Sequence, residues 1–325
     1  MTAAADLQLA PLAGDLERVE ETLRRSVTDS DPFLGEVAAH LVRAGGKRIR
    51  PVLALCAAYA ARGVARPASE AAITGAVAVE LVHIGSLHHD DVIDEAETRR
   101  GVPSVNARWS NIVAILSGDY LLARASSLAA SLGADVAGLL ANTIGELCRG
   151  QVLELQHLFN VGRSEEDYVS TIEGKTASLF ATACRIGGMV SEVDEPTLDA
   201  LTRYGYHAGM CFQVVDDVLD LTGTQDALGK PSGRDLTQGV YTLPVIYALA
   251  EAPTLAGVLG GPLDEQGLVE AQRLATANGT VTAAFAVARD HAKKAGEALA
   301  GAHQLDENVT AELSQLVDDL VGRAS

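Results

Sequence analysis

Two stretches of this chain carry the residue types of metal-assisted diphosphate chemistry. The first is HHDDVIDEAETRRG, His88 to Gly101, where Asp90, Asp91, Asp94, Glu95 and Glu97 run directly into Arg99 and Arg100. The second is DDVLD, which sets Asp216, Asp217 and Asp220 at the same spacing. On an α-helix, residues four apart project from one face, so Asp90 and Asp94 converge while Asp91 lies about 100° away. Asp216 and Asp220 repeat the arrangement. Each motif closes a long apolar run, which puts its carboxylates near the negative pole of a helix, where cations are favoured. Oxygen-only ligation suits hard ions, and Mg²⁺ in particular binds through one or two carboxylates plus waters and substrate phosphates. The bland alternative is a solvated acidic helix end, and one motif alone would leave the two readings even. The second copy favours function. Aspartates crowded into one cavity would repel each other unless their pKa values rose or cations neutralised them.

A second constellation is GGKRIRP, residues 45–51. Lys47 and Arg50 are three apart, and Pro51 suits the first turn of a helix, so these cations sit at a positive helix N-terminus, where anions bind. The paired glycines allow close backbone approach to a ligand. His83 precedes Asp90 by about two helical turns on one stripe, and Gln213 precedes Asp216 by about one. Lys175 and Thr176, in EGKTASLFATA, interrupt an apolar helix. A lone core histidine and a snorkelling lysine are the plain alternatives for His83 and Lys175.

The elements that must hold these residues are helices. The chain has 325 residues, 48% of them hydrophobic and only 4% aromatic, with Ala and Leu throughout, a composition that favours helix over sheet. Leu16, Val19, Leu23 and Val27 recur at three- and four-residue steps in an amphipathic first helix. Similar periodicity predicts helices over 34–43, 50–62, 70–94, 106–132, 135–158, 165–187, 195–221 and 239–251, with two or three more to the end. No period-two run competes with them, and stretches such as RRGVPS and LGKPSGRD read as loops. No linker divides the chain, so a single domain over 1–325 is expected, with 1–10 as a disordered N-terminus. A net charge of −18 argues against nucleic acid and anionic membrane surfaces as partners. Cys56, Cys148, Cys184 and Cys211 lie far apart in apolar segments, as reduced core residues rather than zinc ligands or disulfides. The N-terminus lacks the features of a secretory signal, and the apolar runs read as too short to span a membrane, so a soluble, cytoplasmic protein with no transmembrane segment is expected.

Taken in order, GGKRIRP, HHDDVIDEAETRRG, GDYLLARA, GKTASLF, FQVVDDVLDLTG, LGKPSGRDL and TLPVIYAL resemble the trans-isoprenyl diphosphate synthases, or polyprenyl synthetases, over nearly the whole chain. The resemblance implies an all-α, isoprenoid-synthase-type bundle of antiparallel helices around a deep central cavity, usually homodimeric. It implies head-to-tail condensation of isopentenyl diphosphate with an allylic diphosphate (geranyl, farnesyl or geranylgeranyl). By carry-over, Asp90, Asp94, Asp216 and Asp220 hold Mg²⁺, as three ions once substrate is bound, with Mn²⁺ as a substitute; Asp91 and Asp217 assist. Arg99, Lys175, Thr176, Gln213 and Lys230 contact the allylic substrate, while Lys47, Arg50, His83 and Arg100 bind the diphosphate of isopentenyl diphosphate. One departure is Val240, where the family commonly has lysine; Arg234 is the cation that could replace it.

Product length follows from the helix carrying Asp90. In the family, bulky aromatics four and five residues before the first motif stop growth at farnesyl; here those positions hold Ser86 and Gly85. Val82 and Val79, further down near the same face, are too small to form a floor. Each turn descends about 5.4 Å, so these four positions are expected to line an open wall that admits a product longer than about twenty carbons. The alternatives are a short-chain farnesyl or geranylgeranyl synthase, a class I terpene cyclase, which usually carries one aspartate-rich motif, and a regulatory subunit of a heteromeric synthase.

Overall fold

The computed structural model describes residues 7–223, 233–302 and 304–322. Its secondary structure is almost wholly helical: α1 (Leu12–Ser26), α2 (Pro32–Ala38), α3 (His40–Arg43), α4 (Ile49–Arg62), α5 (Glu70–Ile93), α6 (Val105–Arg108), α7 (Asn111–Ser131), α8 (Ala134–Gln156), α9 (Glu165–Ile172), α10 (Ser178–Met189) and α11 (Glu195–Thr222). After these come α12 (Arg234–Gln238), α13 (Leu243–Glu251), α14 (Pro253–Ala256), α15 (Glu265–Ala275), α16 (Thr280–Ala300) and α17 (Glu307–Gly322).

Local chemistry fixes several starts. Asp31 accepts from the N–H groups of Phe33 and Leu34 while Pro32 opens α2, a residue whose missing N–H costs nothing at that position. Ser69 caps α5 by accepting from Ala72 N–H, and Ser110 caps α7 through Val113 N–H. Ser164 and Asp167 form a reciprocal capping box at α9. The expected 106–132 helix is interrupted at Trp109, and the expected 34–43 helix is split at Ala39. The periodicity was continuous across both breaks.

The chain divides into two compact units: Met1–Ile144, Leu179–Gly205 and Ala298–Leu313 form one, and Gly145–Ser178, Tyr206–Glu297 and Ser314–Ser325 the other. In the first, α5 is the central element and packs most extensively on α7, then on α4 and α1. Its midsection Val77, Ala78, Val79, Leu81 and Val82 is fully buried. Close backbone approaches explain several glycines: a Cβ at Gly187 would fall inside contact of Ala54 O, and one at Gly118 would overlap the His89 ring. In the second unit, Leu221, Leu236, Tyr241, Val245, Leu255 and Ala271 form one apolar cluster.

Three expectations are corrected. Of the N-terminal segment read as disordered, residues 1–6 lie outside the described set, but Leu9 is buried and Gln8 N–H donates to Glu312, which ties this end down. Cys148 is exposed, because it falls on the solvent side of α8; Cys56, Cys184 and Cys211 are buried, and burial pushes their thiols up, Cys211 to about 12. Finally, α5 and α7 are long and apolar enough to cross a membrane by length and composition, with 72% and 33% of their apolar windows buried. For α5 the apolarity serves the protein core.

Candidate functional site

In the first unit α5 delivers the first aspartate motif. Asp90 and Asp94 are half-buried, whereas Asp91 is fully enclosed. Arg99 grips Asp91 Oδ1 from Nε at 2.7 Å and Nη2 at 2.6 Å. The helix hydrogen-bonding continues through Asp94, whose N–H donates to Asp90 O at 2.8 Å, so both carboxylates remain on helical geometry. On α5 the half-buried positions His83, Ser86, Leu87 and Asp90 form a single stripe.

The chain then turns through a feature the periodicity did not predict, a two-stranded hairpin pairing Thr98 with Pro103 and Arg99 with Val102. Its two-residue turn is Arg100 (φ 54°) and Gly101 (φ 76°), both left-handed, the geometry that matches strand twist in tight hairpins. A left-handed arginine costs on the order of 1 kcal/mol or more and persists only where partners hold it. Arg100 Nη1 donates to Leu41 O at 3.2 Å and to Gly45 O, and Nη2 lies 3.7 Å from Glu80.

The GGKRIRP segment meets this turn. Arg48 is also left-handed (φ 48°) and is buried. Its guanidinium donates to Glu20 at 2.5 Å, to Glu80 at 2.8 Å and to Val42 O at 3.0 Å. The close approach that Gly46 permits is to Arg100: an added Cβ would stand 2.9 Å from that guanidinium carbon. Arg50 lies over the Phe180 ring at 5.0 Å, and its Nε has no hydrogen-bond partner among the described residues. Burial lowers Arg50 to about 10, with Arg100 also lowering it and Glu80 and Asp90 opposing. His83 is held well below its ordinary value by burial and by the charges of Arg50, Arg100, Arg48 and Arg99, so its imidazole is neutral. Lys47 is exposed at the rim of this segment. The structure thus gathers Arg50, His83, Arg99 and Arg100 as one electropositive patch.

In the second unit α11 carries the second motif. Asp216 is exposed, while Asp217 and Asp220 are buried. Asp217 accepts from Tyr168 Oη at 2.6 Å and from Gln213 Nε2 at 2.7 Å; Thr176 Oγ1 in turn donates to Gln213 Oε1 at 2.6 Å. Asp220 accepts from Asp235 N–H at 3.1 Å, and its backbone carbonyl accepts from Gly233 N–H at 2.7 Å. Burial raises Asp217 to about 7 and lifts Asp235 well above its ordinary value, and the neighbouring carboxylates Asp216 and Glu154 push both further up. Val240 N–H donates to Asp235 O, and Arg234 opens α12 beside it. Lys230 lies outside the described residues.

Lys175 and Thr176 sit on a π-helical turn, Glu173–Ala177, between α9 and α10, where continuous α-helix was expected. Such turns recur at functional sites because the extra residue re-aims side chains. Gly150 on α8 lets the turn pack closely, since a Cβ there would lie 2.4 Å from Lys175 N, and Ser178 Oγ donates to Gly174 O at 2.6 Å. Lys175 Nζ pairs with Glu154 at 2.5 Å.

Several assignments change here. Thr176 and Gln213, expected to touch substrate, are linked in a chain to the second motif, Thr176 donating to Gln213 and Gln213 to Asp217. Val82 and Val79, expected on an open wall, are 0% exposed. Gly85 faces α7, where a Cβ would meet Gly118 O at 3.1 Å and Leu122 at 3.3 Å. Ser86 alone of the four length-setting candidates stays on the accessible stripe, its hydroxyl donating to His83 O at 2.9 Å. Glu80, Arg48, Tyr168, Asp235 and Glu154 were missed. Glu80 had a signal, a lone carboxylate inside the apolar run AVAVELVHIG, which requires a buried partner.

The donor chemistry fits a hard divalent cation. Each unit offers oxygen ligands at a helix end, and in the second, burial first and neighbouring carboxylates next raise Asp217 and Asp235. Among the described residues no group of three carboxylate, imidazole or thiol side chains could hold a metal ion.

An almost wholly helical chain thus carries two aspartate motifs, the donor type of hard cations, and a patch of guanidinium groups suited to anions. Residues 31–271 match the polyprenyl synthetase family, to which the chain belongs; it is a trans-prenyltransferase. It is 44% identical over 248 residues to a heptaprenyl diphosphate synthase component 2 of Geobacillus stearothermophilus, with 76% of each chain covered. A nonaprenyl diphosphate synthase of Mycobacterium tuberculosis is 38% identical over 296 residues, covering 90% of this chain and 88% of the other. Among solved structures, a geranylgeranyl pyrophosphate synthase of Corynebacterium glutamicum, complexed with calcium and isoprenyl diphosphate, matches with TM-score 0.81 and 37% identity over 96% of each chain. The family uses isopentenyl and allylic diphosphates as substrates.

Proposed function

We propose that this chain is a Mg²⁺-dependent medium- or long-chain polyprenyl diphosphate synthase, adding isopentenyl diphosphate head-to-tail to an allylic primer. The observation that carries this reading is the presence of two kinds of anion-binding group: an aspartate motif on each of α5 and α11, and the guanidinium groups of Arg50 and Arg100 gathered around a neutral His83. Asp90 and Asp94, and likewise Asp216 and Asp220, would hold Mg²⁺ for the allylic diphosphate. When bound, Mg²⁺ supplies positive charge against the departing pyrophosphate. Arg99 and Lys175 add guanidinium and ammonium charge there, so the allylic C–O bond breaks with its electron pair leaving on oxygen. Lys47, Arg50, His83 and Arg100 anchor isopentenyl diphosphate, whose double bond attacks the allylic carbon to form the new C–C bond. A proton is then lost from the adduct to the released pyrophosphate.

A homodimer is supported by Ile112, Ile115 and Leu116, which expose apolar surface along one face of α7. The relative named as a component 2 favours a second reading, a subunit of a heteromeric synthase; both aspartate motifs are intact here, so this chain would be its metal-carrying subunit.

The division of labour between the arginines tests the reading. Arg99 points to Asp91 and Arg100 to Glu80, so the two side chains diverge. Arg100→Ala is expected to raise the KM for isopentenyl diphosphate at least about tenfold, the loss of one charge-assisted contact, with the allylic KM little changed. Arg99→Ala should weigh on the allylic substrate instead. Equal effects of either variant on both substrates, in steady-state kinetics, would contradict the assignment.

A further inference from the structure

Two backbone segments carry the cationic patch, and both are strained at an arginine. Arg48 at φ 48° and Arg100 at φ 54° occupy the left-handed region, which non-glycine residues seldom adopt without something to hold them. The two guanidinium groups converge on the same acceptor, Glu80 Oε1, at 2.8 Å and 3.7 Å. Glu80 is 1% exposed and lies in the otherwise apolar middle of α5, ten residues before Asp90. A carboxylate so enclosed is tolerated only when paired, and here one carboxylate is shared by two loops distant in sequence.

We propose that Glu80 is the positioning residue of the isopentenyl diphosphate site: it draws the Arg48 and Arg100 backbones onto α5 and thereby sets the aim of Arg50 and Arg100. This rests on the assignment of that patch to isopentenyl diphosphate. Charge arithmetic supports it. Arg48 pairs with Glu20 and Glu80 and Arg99 with Asp91, so Glu80 is the carboxylate that stands against the remaining guanidinium groups of Arg50 and Arg100. Without Glu80 the guanidinium groups of Arg48, Arg50 and Arg100 would repel one another, and each lowers the proton affinity of His83 already. Glu80 also raises Arg50 against the burial that lowers it. The carboxylate therefore keeps the cations charged, close and correctly turned, and touches no substrate itself.

The test is Glu80→Gln, which keeps the shape of the side chain and removes its charge, read by KM for each substrate, kcat and Tm, alone and combined with Arg100→Ala. The expected result is a rise of about tenfold or more in the KM for isopentenyl diphosphate with the allylic KM within about twofold. In the Arg100→Ala background the same change should add less, because one of the two arginines that Glu80 aims is already gone and only its effect on Arg50 remains. Should Glu80→Gln fail to fold, Glu80→Asp keeps the charge on a stem too short to reach both arginines, and should raise that KM about threefold or more. An unchanged KM in the folded variants, while Arg100→Ala raises it, would overturn the positioning role and leave the site intact. Full additivity with Arg100→Ala, or equal losses for both substrates, would show Glu80 to be merely structural. If Arg100→Ala itself leaves the KM for isopentenyl diphosphate unchanged, the underlying assignment of the patch fails.

Discussion

Asp90→Asn or Asp216→Asn is expected to lower kcat by about 10²–10³-fold, the size of an electrostatic contact made to charge that develops in the transition state. Both substitutions keep the volume of the side chain and remove the charge that holds a divalent ion. Asp90 is half-buried and Asp216 exposed, so neither side chain fills a position in the apolar core. Tm should move little, and measuring it beside kcat separates the two effects. Asp91→Asn behaves differently. It removes the enclosed partner of Arg99 and should show first as a lower Tm, because a charge left without its buried partner is costly. Normal turnover in a folded Asp90→Asn or Asp216→Asn variant would end the metal assignment.

Ser86→Phe and Gly85→Phe should part company. Ser86 is on the accessible stripe of α5 one turn from Asp90, so a ring there crosses the path of the growing tail close to the reacting carbon. The product should shorten toward farnesyl or geranylgeranyl with the elongation chemistry intact. Gly85 instead abuts Gly118 and Leu122 on α7, and a phenyl ring there drives two packed helices apart. Overpacking of this kind costs on the order of 1–3 kcal/mol or more, so Gly85→Phe should lower Tm and expression. Chromatography of the prenyl products, with a melting curve for each variant, distinguishes these outcomes. An unchanged product distribution for a folded Ser86→Phe enzyme would refute this account of the tunnel.

How much of this was legible in the sequence depends on how local each feature is. Helix positions followed from periodicity, and α5 and α11 begin and end within a residue or so of where spacing put them. The convergence of Asp90 with Asp94 needed only the pitch of a helix. What the lower half of α5 faces was not legible, because below His83 the run is apolar on every side except at Glu80, and the polar stripe of His83, Ser86 and Asp90 stops there. That is why Val79 and Val82 were placed on a tunnel and turned out to be packed in the core. The role of Gly85 depended on Gly118, another helix altogether. Tyr168 and Asp217 are 49 residues apart, and no spacing rule connects them. The hairpin at Arg99 is two residues per strand, too short for alternation to register, and its turn begins with arginine where Asn or Asp would have signalled it. The π-turn at Lys175 left no mark, since one extra residue in a turn does not disturb an apolar pattern already broken by polar side chains.

The most direct measurement is of chain elongation. Purified protein is incubated with labelled isopentenyl diphosphate and farnesyl diphosphate, with and without Mg²⁺, and the products are resolved by length. The predicted result is label in linear prenyl diphosphates longer than about twenty carbons, each differing by one isoprene unit, and none when the metal is chelated. Absence of labelled polyprenyl product in the presence of Mg²⁺, or unchanged elongation after chelation, would contradict the account.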